Sequence, residues 1–203
     1  MKLTVTTFVS VDGVMQGPGG PEEDRRDGFS RGGWLAPHFD EDTGRFMDEV
    51  FQQVDAFLLG RHTYEIFAAY WPKVDTPDAV ATSLNKLPKY VASNTLTAPE
   101  WGPATVLSGD VPAAVAELKQ QPGRELQVHG SGTLVRTLHE HDLVDEYRLL
   151  VFPVVVGEGR RLFPDQGVAT GLTLVDSRTT GSGVAIHVYR PTGRAEFGTV
   201  GES

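Results

Sequence analysis

Apolar and polar positions along the chain follow two different periods. Residues 2–11 are rich in valine, threonine and phenylalanine, which is typical of a strand. Farther along, apolar residues recur at helical spacing and predict an amphipathic helix; they are Phe46, Met47, Val50, Phe51 and Val54. The short apolar run at 56–59 then predicts a buried strand.

The same alternation of short strands and helices continues to residue 140. Asp110 and Pro112 mark the start of one helix, as a capping residue and a proline in the first turn. Further helices are predicted at 63–69, 78–87 and 132–140, and strands at 89–92, 105–107 and 125–128. From Asp145 onward the pattern is β, with strands predicted within 147–156, 173–176 and 184–190.

This order of elements predicts an α/β fold with a mainly parallel central sheet and antiparallel C-terminal edge strands. The length of 203 residues predicts one domain with a substantial core. We expect this domain to span residues 1–190 and a frayed tail to occupy 191–203. The glycine-rich segment 12–42 is long for a loop, and loops of this length are functional lids or disordered segments.

Charge and composition exclude several kinds of partner. The formal net charge of −9, without a long basic tract, argues against nucleic acid and anionic membranes as main partners. The chain has no cysteine, which excludes disulfides, thiolate metal sites and a cysteine nucleophile. The first ten residues lack the apolar segment of a signal peptide, and no apolar stretch is long enough to span a bilayer. We therefore expect a cytoplasmic protein.

Two strand–glycine–helix junctions, at 56–65 and 126–135, carry the main chemical signal. In each, a short apolar run meets Gly60 or Gly130 and then a predicted helix start. Glycine allows a ligand to approach the backbone closely, and unpaired N–H groups at a helix start attract phosphate. Two such junctions in one domain favour a ligand with more than one phosphate, most simply a dinucleotide.

Five segments, in order, resemble motifs of the dihydrofolate reductase-like family. LGRHTYE at 59–65 resembles the Gly-Arg-x-Thr-aromatic-Glu segment of dihydrofolate reductases. SVDGVM at 10–15 and FPVVVGEGRRLF at 152–163 resemble motifs of the bacterial riboflavin-biosynthesis reductase domain, and YVASN at 90–94 and GSG at 130–132 resemble cofactor-binding segments. The resemblance spans about residues 2–190 and is to the C-terminal-domain branch of that enzyme, RibD. It implies a dihydrofolate reductase-like three-layer fold.

The same resemblance implies NADP(H) as cofactor. It places Arg61 near the adenosine 2′-phosphate, which the planar guanidinium suits, and gives Thr63 two compatible roles, in helix capping and phosphate binding. His62 fits a phosphate contact or plain exposed polarity, and Ser93 and Asn94 fit a phosphate or ribose contact or simple turn chemistry.

Thr133 departs from the family pattern, because dihydrofolate reductases often carry arginine there. This departure weakens the preference for NADP over NAD. The expected cofactor-binding residues are Gly60, Arg61, His62, Thr63, Ser93, Asn94, Gly130, Ser131, Gly132 and Thr133.

The residues that carry the chemistry are less defined by the resemblance. Dihydrofolate reductases place a carboxylate before the helix that precedes the Gly-Arg junction; counting from one side reaches Gly44 and from the other reaches Asp40. The carboxylate is therefore Asp40 or absent, and Asp40 equally fits a helix N-cap. Asp12, the other catalytic candidate, fits a residue that holds substrate or loop, or one that stabilises a turn. Trp34 and Phe39 fit the walls of a substrate site for a planar heterocycle, or core positions.

The resemblance implies an NADPH-dependent reductase that transfers hydride to a pterin-like or ribosylaminopyrimidine-like small molecule, as in riboflavin biosynthesis. Such an activity would be like that of 5-amino-6-(5-phosphoribosylamino)uracil reductase or of dihydrofolate reductase, with segment 12–33 closing over the site. The alternatives are a non-catalytic nucleotide-binding module and a dimeric structural protein on the same fold. The apolar stretch 149–156 fits a homodimer interface or an internal strand. We predict no metal site, since His139 and His141 lie on different faces of a helix.

Overall fold

One eight-stranded sheet forms the centre of the protein, and helices cover both of its faces. The computed structural model describes residues 1–74 and 79–201. The strands are β1 (Lys2–Ser10), β2 (Val54–Gly60), β3 (Lys89–Ala92), β4 (Ala104–Leu107), β5 (Glu125–His129), β6 (Glu146–Phe152), β7 (Thr170–Thr179) and β8 (Ala185–Arg194). The α-helices are α1 (Glu41–Phe51), α2 (Arg61–Tyr70), α3 (Ala79–Lys86), α4 (Val111–Gln120) and α5 (Gly132–Glu140).

The strand order is β4-β3-β2-β5-β1-β6-β8-β7. Neighbouring strands from β4 to β6 are parallel, whereas β8 runs antiparallel to β6 and β7 antiparallel to β8. The predicted α/β sheet with an antiparallel C-terminal edge is therefore confirmed. Because β5 lies between β1 and β2, the chain order reverses at this point, and open α/β sheets bind ligands at the carboxyl ends of strands beside such reversals.

The apolar side chains form two clusters, one on each face of the sheet. Helix α1 contributes Phe46, Met47, Val50 and Phe51 to the first cluster, to which Leu84 of α3 also belongs. Helices α4 and α5 supply the second cluster, and the three inward residues predicted for α5 are buried there: Leu134, Val135 and Leu138. This gives three layers, helix, sheet and helix.

Several predicted boundaries differ from the structure. Val54 continues the helical period of α1, yet it begins β2 and pairs with Glu125; periodicity could not separate the two because an apolar side chain there is buried in either element. The tail predicted to fray at 191 is instead strand up to Arg194. Pro191 lies opposite Leu172 beside a register shift, where a missing N–H is tolerated. Helix α3 begins at Ala79, and the predicted first residue, Asp78, lies outside the described residues.

The apolar run predicted as strand at 147–156 stops at Phe152, immediately before Pro153. Its strand part lies between β1 and β8 and is therefore internal, whereas Val155 in the following loop is 69% exposed. Among residues 1–74 and 79–201, no helix combines the length and apolar character needed to cross a membrane.

Candidate active-site cleft

A large cleft lies at the carboxyl ends of the central parallel strands, lined there by residues such as Phe8, Gly60, Ala92 and His129. Its volume is about 2030 Å³, whereas a pocket for one small ligand measures roughly 300–1,000 Å³. The cleft is therefore large enough for a dinucleotide together with a second small molecule.

The two glycine junctions meet inside this cleft. The Gly60 N–H donates to Ser131 Oγ (2.8 Å), and Ser131 Oγ donates to Thr63 Oγ1 (2.8 Å). A side chain would be unfavourable at both positions: a Cβ on Gly60 would lie 3.3 Å from Ser131 Oγ, a tight contact, and Gly130 has a φ of +68°, where other residues are strained. The serine hydroxyl thus joins the start of α2 to the start of α5.

Neither of these helix starts has a side-chain cap. Gly60 precedes α2 and Ser131, at φ 65°, precedes α5, and neither forms a capping hydrogen bond. The first N–H groups of a helix have no partner within the helix, and they carry the positive end of its dipole. Two uncapped helix starts on one cleft form an anion site that suits a pyrophosphate.

The cleft brings together all ten predicted cofactor residues: Gly60, Arg61, His62, Thr63, Ser93, Asn94, Gly130, Ser131, Gly132 and Thr133. Arg61 is held by its Nε donating to Glu65 (2.6 Å) and by Nη1 donating to Thr95 Oγ1. Ser93 and Asn94 also perform the turn chemistry expected of them, since Ser93 Oγ accepts from Leu96 N (3.0 Å) and Asn94 Oδ1 accepts from Gly109 N (2.8 Å).

His62 carries a buried nitrogen, Nε2, that lacks a hydrogen-bond partner within the described part of the chain. The nearest carboxylate oxygen, Asp24 Oδ1, is 3.5 Å away, too far for a well-formed hydrogen bond. Burial and the nearby Arg26 lower the pKa of His62. His62 lines the cleft, and a buried nitrogen without a partner there is consistent with a ligand that completes its hydrogen bonds. The residues present therefore fit a phosphorylated cofactor.

Residues from segment 12–33 also line the cleft, and no sequence pattern predicts the contacts that hold them there. Gln16 is buried and donates from Nε2 to Arg26 O (3.1 Å), while its Oε1 accepts from Arg160 N (3.0 Å). Asp24 accepts two hydrogen bonds from the Arg26 side chain, at 2.8 and 2.6 Å, and a third from Arg26 N at 3.1 Å. Burial alone would raise the pKa of Asp24, but the bonds from Arg26 outweigh it and lower that pKa to about 2. The segment is thus folded onto the cleft by a buried glutamine.

The two predicted catalytic carboxylates lie outside the residues that line the cleft. Asp12 accepts from Ser10 Oγ (2.6 Å), Val156 N (3.0 Å) and Gly157 N (2.8 Å). The bond from Ser10 is the main reason that the pKa of Asp12 falls to about 2. These bonds support the alternative in which Asp12 holds a loop, and they give no support to a catalytic role.

Asp40 is the N-cap of α1. Its side chain accepts from Thr43 N (2.9 Å) and from Ser182 N (2.9 Å), and the first of these bonds is the main cause of its lowered pKa. The capping alternative is confirmed, and the catalytic reading has no support from this placement. Gly44, the other position reached by counting, carries no side chain. The carboxylate expected from the dihydrofolate reductase pattern therefore does not reach the cleft from α1.

The two aromatic residues predicted as walls of a substrate site lie in different surroundings. Trp34 is 8% exposed, packs edge-on against Phe152 and donates from Nε1 to Gln16 O (2.8 Å). It is a core residue outside the cleft lining, which agrees with the core alternative. Phe39 lines the cleft and is 45% exposed, so a ligand could contact it, and its role as a wall of the substrate site stays a prediction.

A buried polar chain runs along the sheet to the floor of the cleft, and sequence reasoning missed it. Arg148 forms a two-bond ion pair with Glu125 (2.6 and 2.9 Å). Glu125 accepts from Gln127 Nε2 (2.8 Å), and Gln127 Oε1 lies 3.0 Å from His129 Nε2. A polar side chain at every second position of β5 was the available signal, because it places three polar groups on one buried face.

Comparisons with known proteins agree with this architecture. The RibD C-terminal domain family matches residues 1–186. Two relatives from Bacillus subtilis (strain 168) are named uncharacterized protein YyaP and uncharacterized protein YwjB. The first is 31% identical over 195 residues, covering 95% of this chain and 96% of the relative; the second is 28% identical over 157 residues, covering 77% and 85%.

Two solved structures share the fold. A protein from Shewanella sp. PV-4, provisionally described as a riboflavin biosynthesis protein, has a TM-score of 0.72 at 23% identity and covers 95% of this chain and 99% of its own. A pyrimidine reductase-like protein from Corynebacterium diphtheriae has a TM-score of 0.61 at 13% identity, covering 94% and 91%. The family match extends over nearly the whole chain, and the two solved structures share its fold: this protein belongs to the RibD C-terminal domain family.

Proposed function

We propose that this protein is an NADP(H)-dependent reductase of a small planar heterocycle. One observation carries the proposal: the ten residues predicted to bind a cofactor all line one cleft, between two helix starts that have no side-chain cap. Family membership supports the same reading, and it makes a ribosylaminopyrimidine of riboflavin biosynthesis or a pterin the preferred substrate class. When bound, the nicotinamide would supply a hydride to the substrate.

The protein's own part in this proposal is binding and orientation. The starts of α2 and α5 would hold the pyrophosphate, and Arg61, at the rim of the cleft beside Glu65, would hold the adenosine phosphate. Segment 12–33 would exclude water from the reacting atoms. Asp24 is held ionised by Arg26 and cannot donate a proton at neutral pH, so we assign the proton that accompanies the hydride to water.

A titration tests the cofactor half of the proposal. We expect NADPH to quench the fluorescence of the protein and to bind more tightly than NADH. Arg61→Ala should weaken NADPH by about tenfold or more and NADH far less, because only NADPH carries the 2′-phosphate that pairs with the guanidinium. Arg194→Ala is the matched control, since this arginine pairs with Asp142 on the surface and does not line the cleft.

Turnover is measured separately, as loss of NADPH absorbance across a panel of pterins and aminopyrimidines. No binding of either nucleotide would refute the proposal. Binding without turnover across the panel would support the alternative of a non-catalytic nucleotide-binding module. Equal loss of NADPH and NADH affinity in Arg61→Ala would show that the arginine does not read the 2′-phosphate.

A further inference from the structure

The floor of the cleft, on the side away from the helix starts, is built by β1 and β5. Thr6 and His129 lie directly opposite each other in the parallel register of these strands. They share one face of the sheet, because Thr4 on that face bonds Glu125, which in turn bonds Gln127 two residues before the histidine. Neighbouring strands are about 4.8 Å apart, and both side chains line the cleft.

The hydrogen bonds of Gln127 determine which nitrogen of His129 carries the proton. Gln127 Nε2 contacts Val50 O (2.7 Å) and Glu125 Oε2 (2.8 Å), and both of these can only accept. The amide therefore has one allowed orientation, with Oε1 toward His129 Nε2 at 3.0 Å. An amide oxygen can only accept, so His129 must donate from Nε2.

His129 is also neutral. Its burial, and then the positive charge of Arg148, lower its pKa to about 3. A neutral imidazole carries one proton, and since Nε2 holds it, Nδ1 has a free lone pair. The ring is stacked on Phe51 at 4.8 Å and 28°, which fixes its plane. Within residues 1–74 and 79–201 no group donates to Nδ1, so the atom is left as an acceptor at the cleft floor.

Thr6 supplies the complementary group. Its Oγ1 is buried and has no hydrogen-bond partner in the described residues. A buried hydroxyl is costly without a partner, and a threonine hydroxyl can turn its hydrogen toward an incoming acceptor. The neighbouring cleft walls are apolar, formed by Phe8, Met47 and Phe51.

We propose that Thr6 and His129 recognise the lactam edge of a planar heterocycle, that is, an N–H next to a C=O. The ring N–H donates to His129 Nδ1, and the carbonyl oxygen accepts from Thr6 Oγ1. This inference rests on the proposed reductase function for its setting and names the edge by which that site takes its substrate. An anionic edge is disfavoured because the lone pair of Nδ1 would face it.

The first test reads the histidine directly and needs neither cofactor nor turnover. Long-range 1H–15N spectra of the free protein at pH 7 should show His129 neutral and protonated at Nε2. A proton on Nδ1, or a charged ring at that pH, would overturn the proposal. Failure of NADPH binding would remove the proposed reductase function but would leave this result standing.

The second test uses two matched probes, 5,6-diaminouracil and its 1,3-dimethyl derivative, titrated by calorimetry with and without NADPH. The dimethyl probe keeps the carbonyls but lacks the ring N–H groups, and we expect it to bind the wild-type protein about tenfold more weakly. His129→Phe keeps the stacking on Phe51 and should bind both probes equally. Thr6→Val should weaken the diaminouracil about tenfold.

Thr7→Val is the control for the loss of a threonine hydroxyl. Thr7, the next residue of β1, also lines the cleft and also has a buried hydroxyl without a partner in the described residues. Its side chain points to the opposite face of the sheet from Thr6, toward the cluster against which Leu149 packs, so it matches Thr6 in all but direction. It should leave the affinity for diaminouracil unchanged. Equal binding of the two probes by the wild-type protein, no binding of either, or equal effects of Thr6→Val and Thr7→Val would each overturn the lactam proposal.

Discussion

Replacing Arg148 by methionine tests the buried ion pair that underlies the cleft floor. The side chains of Arg148 and Glu125 are 10% and 8% exposed, and Glu146 beside them is 5% exposed. In Arg148→Met, Glu146 keeps Lys2 (2.6 Å) as a cationic partner. Glu125 keeps only neutral hydrogen-bond donors, so one buried carboxylate is left without a compensating charge.

Breaking a buried ion pair from one side costs about 3–5 kcal/mol, because the remaining charge stays desolvated. For a domain of about this size, 1 kcal/mol corresponds to roughly 2–4 °C in Tm. We therefore expect Arg148→Met to lower Tm by about 6–20 °C, measured by circular dichroism, and to lower the free energy of unfolding in urea by the same 3–5 kcal/mol.

Two further variants make this reasoning refutable. Adding Glu125→Gln to Arg148→Met removes the stranded charge and should recover most of the lost stability. Arg178→Met is the exposed control: it breaks a surface pair with Glu49 and should cost less than about 1 kcal/mol. A double variant no more stable than Arg148→Met alone would show that lost packing, and not the unpaired carboxylate, causes the destabilisation.

Four other substitutions test three separate features of the fold. Asp12→Asn should lower the free energy of unfolding by about 1 kcal/mol at pH 7, after allowance for the partial exposure of this residue. Because the pKa of Asp12 is lowered to about 2 in the folded protein, the loss should persist above about pH 4 and disappear as the pH falls toward 2. Urea titrations at each pH measure it. Tyr64→Phe should lower the free energy of unfolding in urea by about 1–3 kcal/mol. The tyrosine hydroxyl accepts from Trp101 N (2.8 Å) and donates to Trp101 O (3.0 Å), and its loss leaves both buried groups without a partner. Gly130→Ala should lower the free energy of unfolding by about 1–2 kcal/mol, because alanine is strained at the left-handed φ of this position. Gly44→Ala should raise it by about 0.5–1 kcal/mol, because Gly44 lies inside α1 and its new Cβ would meet only one atom, 4.0 Å away. A lower Tm in both variants would contradict the conformational argument.

The fold, and the convergence of the two glycine junctions on one cleft, could be predicted because their determinants are local in sequence. Gly60 and Gly130 each stand between a strand and the helix that follows, so one short window contains the strand end, the glycine and the helix start proposed to bind an anion. The cap of α4 by Asp110, confirmed at 3.0 Å to Ala113 N, is equally local. The end of β8 was missed because a proline usually ends a strand. Here Pro191 lies beyond the residues of β8 that pair with β6 and beside a bulge in the pairing with β7, so its missing N–H is tolerated.

The proposed substrate side of the cleft could not be predicted, because its contacts join residues far apart in sequence. Thr6 and His129 are brought together only by the insertion of β5 beside β1, and no pattern in either strand indicates its neighbour. Asp12 and Trp34 were ambiguous for the same reason: the Asp12 carboxylate bonds backbone groups 144 and 145 positions away, at Val156 and Gly157. A turn residue and a residue that ties two loops look alike in a single sequence.

The stability of the buried ion pair and its effect on the cleft can be separated. A buried ion pair contributes little net stability compared with an apolar pair, so stability alone does not explain Arg148 and Glu125. The carboxylate of Glu125 and the carbonyl of Val50 both accept from Gln127 Nε2, and this amide orients His129. In the double variant Arg148→Met/Glu125→Gln, residue 125 becomes an amide that can donate or accept, but Val50 O can still only accept and keeps Gln127 in the same orientation. We therefore expect that variant to recover its free energy of unfolding and to keep His129 protonated at Nε2; a mixture of the two neutral tautomers would show that the Glu125 carboxylate is needed to orient Gln127.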